Sequence, residues 1–256
     1  MCRVLCCDAV GLGTVVRTLP EAEPICGVTS LDNRLYVLRG KFWNQIEVYD
    51  INSYRLRSYL NVPGIIRYAH DIVACGHNRC AYVSDPFDDA VHRLELRDGE
   101  ATQWPVNDEP VCLSLNPTHG VLVACAAAHT IKEFSTDGRL LDVLRLPHHI
   151  SPLHTIQLSS GEFIVCHGDP GDPLHRVCLV DADGNVRKSH GGPAGSGCQR
   201  MEVPAAVAVD RNGVLFVVDV HNNRVVLLSA VLTYVGDVVL STQRTLEAIT
   251  SSLGHR

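Results

Sequence analysis

Long apolar runs are missing from this 256-residue sequence, in which no stretch of 18 or more apolar residues occurs. A membrane-spanning helix is therefore not predicted. Asp8 interrupts the short apolar patch at the N-terminus, so a signal peptide is not predicted either. The nucleophile-elbow pattern of serine hydrolases is also absent, and the GSG at 195–197 does not open a helix, which argues against nucleotide binding.

Zinc-knuckle spacing is lacking too, although the chain has 11 cysteines. An odd number of scattered cysteines fits a reducing compartment better than a disulfide framework. Asn-x-Ser/Thr sites are absent or blocked by proline. We therefore expect a soluble, cytoplasmic protein that does not associate with membranes. The net charge of −6 produces no overall field that favours polyanions, so DNA is not an expected partner.

What the sequence does contain is a repeat. Residues 203–229, VPAAVAVDRNGVLFVVDVHNNRVVLLS, read as apolar strand, turn, apolar strand, polar loop and apolar strand, and this order recurs in four other segments. Equivalent second-strand positions are Tyr36, Tyr82, Leu122, Ile164 and Phe216, separated by 46, 40, 42 and 52 residues. A period of about 45 residues with several short strands per copy is typical of propeller blades, because one blade buries its two faces only against its neighbours.

Each copy predicts four antiparallel strands, of which the first is innermost and the more polar fourth lies at the rim. The predicted fold is all-β, a β-propeller of four-stranded antiparallel blades over residues 12–240. The blades are expected near residues 24–62, 65–106, 109–147, 151–192 and 201–240. Residues 1–11 are expected to form an N-terminal extension, and residues 241–256 a tail outside the repeat.

The copy at residues 191–229 resembles the NHL repeat. The family pattern is a glycine-rich lead, a proline, an apolar strand ending in aspartate, a glycine, a second strand ending in aspartate and an Asn-x-Arg-Val closing strand. The matching positions in this chain are Pro204, Asp210, Gly213, 217–219 and 223–225. The resemblance covers roughly residues 12–240 and implies a six-bladed NHL-type propeller, as found in tripartite-motif proteins.

The sequence departs from this family pattern in two ways. Arg39, Cys125 and His167 stand where Asp85 and Asp219 keep the aspartate that ends the second strand. Only five blades of the expected six are visible, while GTVVRTLP at 13–20 resembles an outermost strand of the kind that completes the last blade. Either the ring closes at five blades or it remains open, and we favour the open or strained ring.

The first of two interpretations for the centre of the ring is a metal site. Ligands of propellers usually bind in the central channel, and the predicted entry positions of the innermost strands surround its mouth. In register these are Cys26, His70, Cys112, His154 and Ala206. Two cysteines and two histidines are ligands that zinc prefers. The alternative is that these positions hold small or semi-polar residues for packing, in which case no cofactor is bound.

The loops between second and third strands are the predicted partner-binding surface, because they lie on the same face as these entry points. Lys41, Phe42 and Trp43 place two aromatic rings on one such loop, where aromatic side chains can anchor a partner. The other candidate binding residues are His167, Asp169, Asp172, His175 and His221.

Three functions follow from these features. The leading interpretation is a non-enzymatic scaffold that binds a protein partner, because the chain offers exposed loops and no complete catalytic set. The NHL resemblance implies partners like those of tripartite-motif ubiquitin ligases, but without a RING or B-box pattern ligase activity is not carried over. RNA binding is the second, weakened by the mixed charge of the loops. A metal-dependent hydrolase or lyase is the third.

Overall fold

The computed structural model describes residues 25–39, 45–61 and 66–239. Within these ranges twenty β-strands form five antiparallel sheets of four strands, and the strand order in each sheet follows the order along the chain. The predicted all-β propeller with five four-stranded blades is therefore confirmed. The predicted loop anchor at 41–43, the strand at 13–20, the N-terminal extension and the C-terminal tail lie outside the described residues.

The first three blades occupy the N-terminal part of the described chain. The first blade consists of β1 (Ile25–Leu31), β2 (Arg34–Arg39), β3 (Gln45–Asp50) and β4 (Leu56–Asn61). The second consists of β5 (Asp71–Cys75), β6 (Cys80–Asp85), β7 (Ala90–Glu95) and β8 (Ala101–Pro105). The third consists of β9 (Cys112–Leu115), β10 (Val121–Cys125), β11 (Thr130–Phe134) and β12 (Leu140–Arg145).

The last two blades follow the same pattern. The fourth consists of β13 (Pro152–Gln157), β14 (Phe163–His167), β15 (His175–Val180) and β16 (Val186–Gly192). The fifth consists of β17 (Pro204–Val209), β18 (Val214–Asp219), β19 (Arg224–Ser229) and β20 (Tyr234–Val239). A turn of 3-10 helix at Val220–Asn222 joins β18 to β19. No helix in the described ranges is long and apolar enough to cross a bilayer.

The second strand is the most buried one in each of the first four blades. Every residue of β6, β10 and β14 is buried, whereas β12 and β16 are largely exposed. Continuous apolar runs such as VLVAC in β10 are expected of strands that are covered on both faces. The hydrophobic core is therefore divided into layers between successive blades.

The blades contact one another through their first strands. Strands β1 and β5 pack together, as do β5 and β9, β9 and β13, and β13 and β17, which makes the first strand of each blade the innermost one. Among the described strands, extensive packing between blades is found only for blades that are consecutive in sequence. The five innermost strands begin near a common axis, and this position brings their first residues together.

Two strand-end aspartates hold the connections between blades. Asp85 accepts backbone N–H bonds from Arg67 and Tyr68 ahead of β5, and also from the turn that follows β6. Asp219 accepts the N–H of Glu202 ahead of β17. A buried carboxylate that satisfies several donors fixes the entry of a blade against its own second strand, which is the physical role of this aspartate in the repeat.

Candidate functional site at the ring axis

The strand register identifies which innermost residues are equivalent. In each blade one residue of the first strand pairs with the penultimate residue of the second strand. These residues are Gly27, Asp71, Cys112, His154 and Ala206. The predicted positions of Cys112, His154 and Ala206 agree with this register, whereas Cys26 and His70 each lie one residue before it.

A one-residue difference matters because side chains alternate between the two faces of a strand. His70 therefore does not join the central group, and its Nδ1 lies 2.8 Å from the carbonyl oxygen of Val111. Cys26 is half-buried and packs against the core between the first and second blades. Asp71, which was not predicted as a ligand, takes the equivalent position in the second blade.

Asp71, Cys112 and His154 converge from three consecutive blades. One potential ligand atom of each lies within 4.8 Å of the other two. In the described part of the chain this is the one group of three or more such side chains close enough to share a metal ion. The group combines a carboxylate, a thiol and an imidazole, and all three residues are half-buried.

The carboxylate of Asp71 is held firmly in place. Its Oδ2 accepts the N–H of Leu113 at 2.8 Å and the thiol of Cys112 at 2.7 Å, and its Oδ1 accepts the N–H of Ile72 at 2.8 Å. A Cβ at Gly27 would lie 2.8 Å from Oδ1, so glycine at the equivalent position of the first blade leaves the space that the carboxylate occupies.

Burial favours the uncharged forms of the other two groups. It raises the pKa of Cys112 well above its usual value, and the neighbouring Asp71 carboxylate raises it further. Burial also lowers the pKa of His154, against the opposing effect of Asp71. The Nδ1 atom of His154 is enclosed and has no hydrogen-bond partner among the described residues. An unpartnered imidazole nitrogen beside a thiol and a carboxylate is a suitable ligand for a metal ion.

This protonation state is unfavourable for direct cysteine catalysis. A nucleophilic cysteine needs a lowered pKa and an adjacent base that can take its proton. In this site the thiol proton points to a carboxylate whose negative charge disfavours the thiolate. A divalent cation would reverse this effect, because a coordinating thiol loses its proton.

The predicted partner loop of the fourth blade is built differently from the expectation of an exposed, imidazole-rich surface. His167 and His175 are both buried, and the Nδ1 of His175 lies 3.1 Å from the backbone nitrogen of Val203 and 3.0 Å from the carbonyl oxygen of Gly168. Burial lowers the pKa of His167 to about 4, with the positive charge of Arg176 as a further cause. His175 therefore supports the join between the fourth and fifth blades, whereas His167 is buried at the end of β14.

The remaining predicted loop residues are more accessible. Asp169 and Asp172 are connected by a hydrogen bond from the N–H of Asp169 to Oδ2 of Asp172 at 2.9 Å. Burial and the adjacent Asp172 raise the pKa of Asp169. His221 is exposed, and its Nδ1 lies 3.3 Å from the carboxylate of Glu202. Partner binding by these residues stays a prediction.

An exposed aromatic residue lies in the loop between β6 and β7. The side chain of Phe87 is 67% exposed, and the guanidinium of Arg67 lies 5.7 Å from its ring centroid. Arg67 also forms an ion pair with Asp88 at 3.5 Å. The sequence DPFDDA could have indicated this residue, because a phenylalanine is unusual in an otherwise polar, exposed turn.

Sequence comparison gives no relative. No protein-family model matches the chain, so the NHL assignment has no support of that kind. No curated protein matches it in sequence.

Comparison of structures finds β-propellers. A structure of streptogramin B lyase has a TM-score of 0.66 at 14% identity, covering 88% of this chain and 71% of that one. A virginiamycin B lyase from Staphylococcus aureus has a TM-score of 0.64 at 11% identity, covering 89% and 74%. A protein of unknown function from Bacteroides caccae has a TM-score of 0.68 at 14% identity, covering 93% and 90%. At these identities the likeness establishes the fold alone.

Proposed function

We propose that this propeller binds a divalent metal ion of the zinc class at its axis, through Asp71, Cys112 and His154. The convergence of these three side chains from three blades, within 4.8 Å of one another, is the observation that carries the proposal. Zinc is favoured over calcium or magnesium because thiolate and imidazole ligands suit it, whereas calcium and magnesium take sets of oxygen ligands.

The geometry requires small shifts in both directions, because Sγ of Cys112 and Oδ2 of Asp71 lie 2.7 Å apart and would have to separate, while the longer distances contract. Tetrahedral zinc with sulfur, nitrogen and oxygen ligands at its usual bond lengths places ligand atoms about 3.4–3.6 Å apart. The observed upper limit of 4.8 Å is within reach of side-chain rotation. The N–H groups of Leu113 and Ile72 would continue to orient the Asp71 carboxylate, as outer-shell donors do in metal sites.

Metal binding at this site would release a proton. Cys112 is protonated in the structure and donates to Asp71, and coordination would remove that proton. The affinity for zinc is therefore expected to rise with pH. Three protein ligands and one open position are the arrangement of catalytic rather than structural zinc sites. A hydrolase or lyase reaction would be the catalytic use of this site. The structural likeness to lyases concerns the fold and is not evidence for such a reaction.

Metal analysis of purified variants tests this proposal. The wild-type protein, loaded with zinc and then dialysed, should retain stoichiometric zinc by elemental analysis. The His154→Ala and Cys112→Ser variants should lose zinc affinity by at least about tenfold in chelator competition. His148→Ala removes an exposed histidine and serves as the matched control, with unchanged affinity. Wild-type protein that retains no zinc, or equal retention in all variants that fold by circular dichroism, would contradict the proposal.

A protein-binding scaffold is the second candidate, and it is favoured by Phe87. A solvent-exposed phenylalanine held under an arginine offers a partner a large apolar contact beside a charge. NHL-type propellers, which the fifth blade resembles, bind partners through such loops. Proteins that are captured by the wild type and lost with Phe87→Ala would support this function. They should be retained by Leu141→Ala, a control on the exposed outer strand β12. Capture of single-stranded RNA with a steep salt dependence would favour RNA instead.

A further inference from the structure

Cys75 and Cys80 face each other across a hairpin. Cys75 ends β5 and Cys80 begins β6, the two are directly paired, and only residues 76–79 separate them. Directly opposed residues of antiparallel strands have Cα atoms about 4.5–5.5 Å apart. Disulfides span Cα distances of about 4.4–6.8 Å. The two cysteines can therefore be joined without moving the strands, and both are fully buried.

The surroundings favour a negative charge on one sulfur of this pair. Interaction with the Cys80 thiol lowers the pKa of Cys75 against the opposing effect of burial, and the backbone N–H groups of Asn78 and His77 lower it further. The presence of Cys75 and burial raise the pKa of Cys80. Of the two sulfurs, Cys75 is accordingly the one on which the thiolate is favoured. A thiolate is the reactive form of cysteine toward oxidants.

We propose that Cys75 and Cys80 form a redox-active dithiol that hydrogen peroxide oxidises to a reversible disulfide across the hairpin. The Cys75 thiolate attacks one peroxide oxygen, so that an S–O bond forms, the O–O bond breaks, and hydroxide leaves. Cys80 then attacks the sulfur of the Cys75 sulfenic acid, forming the S–S bond and displacing the second hydroxide. Both hydroxides leave as water with the protons of the two thiols, so two thiols and one peroxide give one disulfide and two waters.

Peroxide is the oxidant that suits this location. The thiols themselves are enclosed, but His77 and Arg79 in the connecting turn are more accessible, so the pair lies directly beneath the surface. A two-atom oxidant can enter through fluctuations of a short turn, whereas a bulky disulfide reagent needs the hairpin to open. A small dithiol reductant would return the pair to its original state.

The chain contains a matched control pair. Cys166 and Cys178 are also buried on adjacent strands, but Cys166 pairs with Val177 and Cys178 with Val165, so they are offset rather than opposed. Burial raises the pKa of both thiols, to about 12 for Cys178. Neither the geometry nor the protonation state favours oxidation there, so these two cysteines should remain thiols.

The sequence allows a direct test, because Arg79 lies between the two cysteines. Trypsin cleavage after Arg67, Arg79 and Arg93 places Cys75 and Cys80 in separate peptides, each with one cysteine. The folded wild-type chain is treated with peroxide, alkylated under denaturing conditions and digested without reductant. Peptides 68–79 and 80–93 should appear as one disulfide-linked species, which dithiothreitol separates. Alkylation at both cysteines should fall by at least about tenfold while alkylation at Cys178 changes little.

Two variants assign the roles of the sulfurs. Cys80→Ser should give no linked species and should leave a sulfenic acid on Cys75 that dimedone traps. Cys75→Ser should give neither product. The proposal is overturned if peroxide leaves Cys75 and Cys80 of the wild type alkylated to the same extent as Cys178. It is also overturned if Cys166 and Cys178 become linked equally readily. The decisive measurement uses the unmodified chain, so a variant that fails to fold does not affect it.

Discussion

Arg224 is the side chain of the fifth blade whose replacement by alanine is predicted to lower the free energy of unfolding the most. Its guanidinium is nearly fully buried, and its Nε donates to Oδ2 of Asp219 at 2.8 Å. Its Nη1 donates to Oδ2 of Asp237 on β20 at 3.0 Å. The other bonds of the guanidinium reach the carbonyl oxygens of Ser196, Gly197 and Arg200. One side chain therefore joins three strands of the blade to the segment that leads into it.

The loss of stability in Arg224→Ala follows from the Asp219 carboxylate, which loses its partner. The Asp219 side chain is 0% exposed and would keep its negative charge without the cation that compensates it. Removing one partner of a buried ion pair typically costs about 3–5 kcal/mol. The free energy of unfolding of a typical domain is about 5–15 kcal/mol, so this single change should remove a large share of it.

Equilibrium unfolding in urea, followed by circular dichroism at pH 7, measures this effect. Arg57→Ala is the matched control, because the Arg57 side chain is 55% exposed and its ion pair with Asp50 is at the surface. That change should cost less than about 1 kcal/mol. Arg224→Lys should fall between the two, since lysine retains the charge but not the planar fork of donors.

The double variant Asp219→Ala with Arg224→Ala separates the ion pair from the other bonds of the guanidinium. It should cost less than the sum of the two single changes, because the second removal eliminates the unpaired charge. If Arg224→Ala were as stable as Arg57→Ala with an unchanged urea slope, the buried network would contribute no net stability and the reasoning would be refuted.

Two further predictions concern His167 and a glycine. The folded-state pKa of His167 is about 4, below the value of about 6.5 for an unfolded chain, so the unfolded state binds more protons between these values. Stability should therefore fall as pH drops through this window, by up to about 3 kcal/mol from this group, and His167→Leu should make urea midpoints less dependent on pH. In the second prediction, Gly184→Ala should cost about 1–3 kcal/mol more in urea unfolding than Gly161→Ala. Both glycines have φ near +87°, but a Cβ at 184 would lie 2.1 Å from the carbonyl oxygen of Arg145, while one at 161 meets nothing within 4 Å; equal costs would show that the backbone yields freely at 184.

The blades were predictable from the sequence because the repeat combines strand composition with turn chemistry. Runs such as VLVAC in β10 are apolar at successive positions, and the turn at Asp210–Gly213 has the residues that a tight connection needs. The axial register was less accessible to sequence reasoning. Bulges interrupt the start of β1, β13 and β17 but not of β5 or β9, so counting from the strand entrance gives different positions in different blades.

Two of the three residues of the candidate site were accordingly predicted. Cys112 and His154 were identified, while Asp71 became visible only through its pairing with Ser84, the residue before the strand-end Asp85. The loop histidines show the opposite effect. His167 and His175 lie in a segment rich in glycine and proline, which suggests a solvent-exposed loop, yet tertiary packing buries both side chains. Composition indicates where a turn occurs but not which of its side chains point inward.

The packing of each blade on its sequence neighbours has a consequence for how local unfolding spreads. In arrays joined by nearest-neighbour interfaces, fraying starts at the outer units and moves inward. The three axial side chains come from the second, third and fourth blades. The outer two blades contribute none of these three side chains, so unfolding that begins in either of them reaches the site only when it spreads to the second or fourth blade.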